Sequence, residues 1–266
     1  APEGWIVQST GALQNPDAVL APSIAQNRRQ ALASETPQII MEPDDAPVTT
    51  DADDDRLTWR FRAEDVRDVA FHLSREAFWE AARAPIGDRD GDGRVDSTEV
   101  HTFWRATAPK WSEVTRYQQH ALTFLSDYTG LPYPWPHMTA VEGGGIIGGG
   151  MEFPMMTIMG DYNRSTARML YAVTAHELAH MWVPMMVSTN ERRYSWMDEG
   201  TTSFQENMAR ADFFEESYAV ASDRADYLQT ARSGEEGEIM RWSNFHYDSE
   251  AFVVASYRKP ATLLVA

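Results

Sequence analysis

A run of five residues, His176-Glu177-Leu178-Ala179-His180, constrains the structure of this chain more than any other feature of its sequence. On an α-helix, side chains at positions i and i+4 lie on one face, so both imidazoles can reach a single metal ion. Glu177 is rotated away from that pair and can act as a general base on a water at the metal. A surface helix with scattered histidine and glutamate is the alternative interpretation of the same residues.

A catalytic zinc ion needs a third protein ligand and an open fourth position. Glu199 is the candidate, because it opens the next helical pattern after eighteen residues, 181 to 198, which is enough for a loop and a returning antiparallel helix. A carboxylate favoured by the dipole at a helix N-terminus also explains Glu199, and the two interpretations are compatible. Ser203 and Glu206 follow on the same predicted helix face, where either can accept a hydrogen bond from a ligand imidazole or lie exposed.

The apolar pattern predicts an α+β protein with a domain boundary near residue 82. Residues 1–82 are typical mostly of β-strands, as the alternation in 57–62 shows. Strands around a glycine-rich turn are predicted for 138–160, and helical periodicity covers 111–128, 165–182, 198–210, 214–231 and 249–266. An acidic run that includes Asp51 and 53–55 predicts a solvated turn. The chain ends within an apolar helical pattern at 263–266, so we expect a fragment of a longer protein.

Three motifs give the chain a family resemblance. The first is H-E-L-A-H-M-W at 176–182, with eighteen residues between His180 and Glu199, which lies within W-M-D-E-G at 196–200. The second, G-G-M-E-F at 149–153, precedes it, and the third, Y-R-K-P at 257–260, follows it. In this order the motifs resemble those of the gluzincin aminopeptidases, specifically the membrane alanyl aminopeptidase-like zinc peptidases that include the leukotriene hydrolase. Three residues or pairs depart from that pattern without being expected to touch the metal: Phe153 for asparagine, Val183-Pro184 for glycine-asparagine, and Pro260 for glycine.

The resemblance implies both a fold and a set of roles. Residues 83–266 would form a thermolysin-like catalytic domain, preceded at 1–82 by the C-terminal part of an N-terminal β-sandwich domain. His176, His180 and Glu199 would bind zinc with Glu177 as the base, and Tyr257 would donate a hydrogen bond to the oxyanion. A core tyrosine on an amphipathic helix is the alternative for Tyr257. The family's C-terminal helical domain would be missing from this chain.

The glycine-rich motif bears on the choice between an exopeptidase and an endopeptidase. An aminopeptidase must hold a free α-ammonium group near the metal, and Glu152 is the carboxylate expected to bind it. Gly149, Gly150 and Met151 are expected to contact the substrate backbone, because glycine allows close approach. Without the neighbouring motifs, a flexible turn would be the simpler interpretation of these glycines.

A second metal site is predicted between residues 88 and 99. The segment fits a twelve-residue calcium loop, with side-chain oxygen ligands at Asp88, Asp90, Asp92, Asp96 and Glu99 and a backbone carbonyl at Arg94. Five carboxylates this close repel one another unless a cation is bound. We expect a static clip at the domain junction, and the alternative is an acidic surface loop. Calcium is available outside the cytoplasm, which favours a periplasmic or secreted protein.

Charge and composition exclude several classes of protein. The 266 residues carry 23 basic and 40 acidic side chains, a net charge of −17, which disfavours a nucleic-acid binder. No apolar stretch is long enough to predict a membrane span, and the absence of cysteine rules out thiolate catalysis.

These observations favour a zinc aminopeptidase that acts on peptides with a free N-terminus. The first alternative is a zinc endopeptidase, which a substrate with a blocked amino terminus would distinguish. The second is a calcium-stabilised scaffold that binds peptides without hydrolysing them. Retention of Glu177 and Tyr257 disfavours the scaffold, because such a protein needs neither.

Overall fold

The computed structural model describes residues 1–2, 4–45, 56–216 and 220–265. The acidic turn predicted around residues 51–55 lies outside them. The chain forms two compact units, Ala1–Leu170 and Tyr171–Ala266. Of the helices that the structure describes, none has both the length and the apolar character needed to cross a bilayer.

The first unit is built on a mixed six-stranded sheet. The strands described in this unit, including those outside the main sheet, are β1 Ile6–Ser9, β2 Ala12–Leu13, β3 Gln38–Met41, β4 Phe61–Arg62, β5 Phe71–Ser74, β6 Ala77–Gly87, β7 Asp96–Arg105, β8 His137–Glu142, β9 Gly150–Phe153 and β10 Met156–Met159. The main sheet has the order β3-β6-β7-β8-β10-β9, with parallel pairing of β7 to β8 and of β8 to β10 and antiparallel pairing elsewhere. β1 with β5, and β2 with β4, form two further small antiparallel sheets.

Helices cover part of this sheet. They are α1 Pro16–Val19, α2 Pro22–Ala31 and α3 Val114–Thr129, the last preceded by a 3₁₀ turn at Pro109–Glu113. α3 packs against β6, and Thr123 Oγ1 donates to the Pro85 carbonyl at 2.8 Å. Gly130 ends α3 in the left-handed conformation with φ of 69°, which glycine adopts without strain.

The second unit is helical. α4 runs from Ala167 to Ala179 and enters this unit at Tyr171, followed by α5 Thr201–Phe213, α6 Ala221–Ser233, α7 Ser249–Val253 and α8 Lys259–Leu263. Wide π-type turns occupy Met181–Met186, Trp196–Gly200 and Val254–Arg258, and a 3₁₀ turn occupies Ser243–Phe245. The predicted helix over 249–266 is thus divided by a wide turn. Such turns often occur at functional sites.

The domain boundary predicted near residue 82 does not coincide with the division into units. Residue 82 lies inside β6, which continues to Gly87 and pairs with β7 from Ala77 to Gly87, with a register shift between Pro85 and Gly87. Ala77, Trp79 and Ala81 alternate as buried residues of this strand. The change in composition near residue 82 therefore does not mark the end of a folding unit.

A partly exposed carboxylate on β7 ties α2 to the centre of the sheet. Glu99 Oε2 on β7 lies 2.8 Å from Arg28 Nη2 and 3.1 Å from His101 Nε2. The indole nitrogen of Trp79 donates to His101 Nδ1 at 3.2 Å, so the ring proton of neutral His101 is on Nε2 and is donated to Glu99. Burial opposes the charge of Glu99, but the hydrogen bond from His101 and the positive charge of Arg28 lower the pKa of Glu99 to about 2.

Replacing Glu99 by Gln should weaken the acid sensitivity of the first unit. The pKa of Glu99 is about 2 in the fold and ordinarily 4.5. Its charge therefore stabilises the fold fully above about pH 4.5, and this contribution is lost as the pH falls through about 2. In calcium-free buffer, the free energy of unfolding should fall less steeply with decreasing pH in Glu99→Gln than in the wild type. Asp17→Asn, which disrupts an exposed pair with Arg29, is the control and should leave the slope unchanged. Equal slopes for all three proteins would contradict the assignment.

Candidate metal centre

The two histidines of the H-E-L-A-H run lie together at the C-terminal end of α4. Thr166 begins the helix, and its hydroxyl accepts a hydrogen bond from the Met169 N–H at 3.2 Å. His180 N–H donates to the His176 carbonyl at 3.3 Å, so the helical turn continues through the second histidine. The two ring centroids are 4.9 Å apart. The predicted common face of the helix is present.

Glu199 supplies the third donor from the wide turn at Trp196–Gly200. Its Oε2 atom lies 3.2 Å from His176 Nε2 and 3.4 Å from His180 Nε2. Bonds of about 2.0–2.1 Å at tetrahedral angles separate neighbouring ligand atoms by about 3.3–3.4 Å. Two imidazole nitrogens and one carboxylate oxygen at these separations therefore fit a tetrahedral zinc ion with an open position.

The far side of the His176 ring is held by a carboxylate on α5. Glu206 Oε2 lies 3.1 Å from His176 Nδ1, which is the arrangement expected for this residue from its position on the helix face. Such a partner fixes the ring orientation and directs Nε2 toward the metal. Ser203, the other residue expected in this role, is buried on α5, and its carbonyl accepts a hydrogen bond from Asn207.

The far side of the His180 ring is held by groups that the sequence analysis did not identify. Asp198 Oδ1 lies 2.9 Å from His180 Nδ1, and Thr202 Oγ1 and the Val183 carbonyl each lie 3.2 Å from the same nitrogen. An acidic residue directly before Glu199 is a signal that could have indicated Asp198. The Val183 carbonyl has no side-chain signal in the sequence.

The charged groups of the centre shift one another's pKa values. Burial alone would lower the pKa of His176, but hydrogen bonds to Glu199 and Glu206 raise it to about 10. The pKa of Glu199 is lowered well below its ordinary value, because its bonds to both histidines outweigh its burial. A metal ion bound through His176 would therefore have to displace a proton at neutral pH, and its affinity would rise with pH.

Glu177 and Tyr257 complete the constellation. Glu177 is 4% exposed. The Tyr257 ring stacks on the His176 ring at 5.9 Å between centroids, and Phe252 packs edge-on against Tyr257. Burial and the charge and hydrogen bonding of Glu199 raise the pKa of Tyr257 well above its ordinary value, so its hydroxyl keeps a proton to donate.

Two buried serines hold the wide turns of Glu199 and Tyr257 together. Ser195 Oγ and Ser256 Oγ are 2.7 Å apart. Gly200 packs against the Pro260 ring, and a Cβ atom at Gly200 would lie 2.9 Å from the Ser256 carbonyl oxygen. This close packing fixes the position of the tyrosine relative to the glutamate.

Comparison with known proteins identifies the family. The profile of the peptidase family M1 domain matches residues 114–266, more than half of the chain. The chain belongs to peptidase family M1. The predicted resemblance to the gluzincin aminopeptidases is thereby confirmed.

Individual M1 relatives are more distant. The chain is 27% identical over 160 residues to aminopeptidase M1-A of Oryza sativa subsp. japonica, covering 54% of this chain and 18% of the relative. It is 29% identical over 103 residues to aminopeptidase M1-C of the same plant, covering 35% of this chain and 12% of the relative. The chain therefore spans less than a fifth of the length of these curated relatives.

The fold is shared with solved M1 structures. An M1 zinc metallopeptidase from Deinococcus radiodurans matches with a TM-score of 0.62 and 17% sequence identity, over 100% of this chain and 50% of that one. Its E323A mutant matches with a TM-score of 0.61 over the same shares. This likeness supports the mixed α/β fold of the M1 chain described above.

The residues expected to contact substrate belong to the first unit of this M1 chain. Gly150, Met151 and Glu152 lie on β9, where Glu152 pairs with Thr157 of β10. Glu152 is 9% exposed and Met151 is 38% exposed. A Cβ atom at Gly149 would meet open space. Gly150, Met151 and Glu152 are thus presented by the β9–β10 hairpin, and Gly149 lies in the bend directly before it.

The predicted calcium loop joins β6 to β7. Asp88 accepts backbone hydrogen bonds from Gly91, Asp92 and Gly93 at 2.7–3.1 Å. Carboxylate oxygens of Asp88, Asp90 and Asp96 lie within 4.8 Å of one another. These three carboxylates are the group in this loop that is close enough to share a cation.

Glu99 faces a different environment from the one predicted for the last position of the loop. The four residues from Asp96 to Glu99 are extended along β7, and the three steps between them cover about 10 Å. An exiting helix would instead fold the glutamate back over the loop. Glu99 instead pairs with Arg28 and His101. We therefore correct the predicted ligand set by omitting Glu99.

Replacing Gly200 by Ala should destabilise the second unit. The backbone of Gly200 is helical, with φ of −74° and ψ of −39°, so alanine would be favoured there if space allowed. Its methyl group would instead press on Pro260 and the Ser256 carbonyl, at a cost of about 1–3 kcal/mol. Gly148→Ala, which adds a methyl group in open space, is the control for thermal or denaturant unfolding. An increase in the stability of Gly200→Ala would show that the packing is looser than described.

Proposed function

We propose that this chain carries the catalytic centre of a zinc-dependent aminopeptidase that hydrolyses the N-terminal peptide bond of its substrates. The convergence of His176 Nε2, His180 Nε2 and Glu199 Oε2 carries the proposal. Membership of family M1 and the names of the rice relatives support it. We also propose that the chain follows the thermolysin-like catalytic architecture, preceded by part of a β-sandwich domain.

Each residue of the centre has a role that its position supports. When bound, zinc would polarise the peptide carbonyl and lower the pKa of the attacking water. Glu177 takes the proton from that water and delivers it to the leaving amine. Tyr257 keeps its phenolic proton and donates a hydrogen bond to the oxyanion that develops on the carbonyl. Glu206 holds the imidazole of His176 in the required orientation, and Thr202 and the Val183 carbonyl hold that of His180, with Asp198 close beside it.

Selection of a free amino terminus is assigned to the β9 hairpin. The Glu152 carboxylate binds the α-ammonium group of the substrate, and Gly149, Gly150 and Met151 contact its backbone. An endopeptidase would not need this carboxylate, and a peptide-binding scaffold would need neither Glu177 nor Tyr257. For these reasons we favour the aminopeptidase over both alternatives.

We further propose that the loop at 88–96 binds calcium in a periplasmic or secreted protein. Asp88, Asp90 and Asp96 form its core, with Asp92 and the Arg94 carbonyl available as additional ligands. Gly93, with φ of 84°, supports the tight turn that such loops require at their sixth position.

Removal of a zinc ligand and removal of the base should have different consequences. The wild type should hold about one zinc ion per chain, and His180→Ala should lose it. Glu177→Gln should keep the zinc and lower kcat of the full-length protein by about a hundred- to ten-thousandfold. Metal analysis and peptide hydrolysis measure the two effects, with His120→Ala as a histidine control outside the centre. Unchanged zinc content in His180→Ala would refute the ligand assignment.

Glu152→Ala should reduce activity only on substrates with a free amine. The lost charge-assisted contact is worth about 1.5–3 kcal/mol, or about ten- to a hundredfold in kcat/KM. An N-acetylated peptide, already a poor substrate, should lose little more. Equal cleavage of free and acetylated peptides by the wild type would instead identify an endopeptidase.

Calcium should raise the Tm of the wild type, because it binds the folded loop in preference to the unfolded chain. Saturation at about a hundred times Kd would add about 2.7 kcal/mol. Asp88→Ala should abolish the increase, whereas Glu99→Gln should retain it because Glu99 faces Arg28. If calcium leaves the Tm of the wild type unchanged, the loop is a solvated turn.

A further inference from the structure

We infer that Arg210 is a positioning residue of the metal centre, which holds Glu206 in the orientation that fixes His176. This inference rests on the proposed zinc site. It concerns a side chain that lies one helical turn beyond the Glu206 carboxylate on α5.

Both oxygens of the Glu206 carboxylate are engaged. Oε2 lies 3.1 Å from His176 Nδ1, and Oε1 lies 3.5 Å from Arg210 Nη1, one turn along α5. A carboxylate held at one oxygen can still rotate about its terminal bond. The attraction between Oε1 and the Arg210 guanidinium limits that rotation, and with it the range of directions in which the carboxylate meets the imidazole.

Arg210 is itself held by a second carboxylate. Its Nε atom lies 3.5 Å from Glu216 Oε2, and the side chains of Arg210 and Glu216 are 10% and 11% exposed. The chain turns back at the end of α5, where Glu216 N–H donates to the Ala211 carbonyl at 2.8 Å. The guanidinium thus lies between two carboxylates in a mostly buried site, where pairing is required to offset the loss of hydration.

The direction in which zinc affinity changes when Arg210 is removed distinguishes a positioning role from a purely electrostatic one. A positive charge near a bound cation is repulsive, so removing Arg210 would tighten zinc binding if charge alone mattered. Removing it would weaken zinc binding if its main effect is to orient Glu206. A purely structural role at the C-terminal end of α5 would lower stability without depending on Glu206.

The test is a double-mutant cycle on zinc affinity, measured by competition with a chelator in the full-length protein. Glu206→Gln should raise the Kd for zinc by about ten- to a hundredfold, the usual effect of losing such a partner. Arg210→Met should raise it by about tenfold, near the lower end of that range. Arg210→Lys keeps the charge and should recover part of the loss. In the Glu206→Gln background, Arg210→Met should cause no further loss.

Two further measurements make the cycle decisive. The visible spectrum of the cobalt-substituted protein should change in Arg210→Met as it does in Glu206→Gln, because both alter the orientation of one imidazole. The Tm of the metal-free variants reports any general loss of structure. If Arg210→Met does not fold, Arg210→Lys in the wild-type and Glu206→Gln backgrounds provides the same comparison.

Three results would overturn the inference. They are an unchanged Kd for zinc in Arg210→Met, a lower Kd in that variant, or an equal increase in Kd on adding Arg210→Met to the wild type and to Glu206→Gln. These results differ from failure of the proposed zinc site. In that case the wild type itself would bind no zinc, or His180→Ala would bind it unchanged.

Discussion

The position of one oxygen atom, Glu199 Oε2 between two imidazole nitrogens, determines how the helical unit is arranged. Each imidazole is held from its other side, one by Glu206 and the other by Thr202 and the Val183 carbonyl. The turn that carries Glu199 is fixed to the turn that carries Tyr257 by a buried hydrogen bond between two serines and by close packing at a glycine. The hydrogen bonds and close packing between these elements therefore fix the positions of the polar groups of the centre.

The sequence alone indicated contacts of the centre that depend on spacing along a single helix. The histidine pair required only the period of an α-helix, and Glu206 followed from the same period counted from Glu199. Asp198 was missed because it lies in a wide turn whose shape does not follow the helical period. Thr202 lies in the first turn of α5, three residues after Glu199, and that spacing could have indicated it. The Val183 carbonyl was missed because every residue has a backbone carbonyl, so the sequence does not indicate which one contacts His180.

Strand pairing explains the predictions that were wrong. The loop motif placed Glu99 among the calcium ligands because the twelve-residue pattern assumes a helix after the loop, whereas an extended strand follows here. The boundary near residue 82 was placed where composition changes, but β6 crosses that point because the next strand, β7, continues beside it. Pairing between strands decided both outcomes, and periodicity along one segment carries no information about it.

The elevated pKa of His176 has a consequence for the charge balance of the centre when no metal is bound. With a proton on this ring, one positive charge lies between Glu199 and Glu206 and offsets part of their mutual repulsion. A proton and a metal ion would therefore compete for His176 Nε2. Exchange of a bound zinc ion for that proton would lower the positive charge at the centre from two to one. We expect this remaining charge to keep the metal-free centre partly compensated, in contrast to small zinc domains that unfold without their metal.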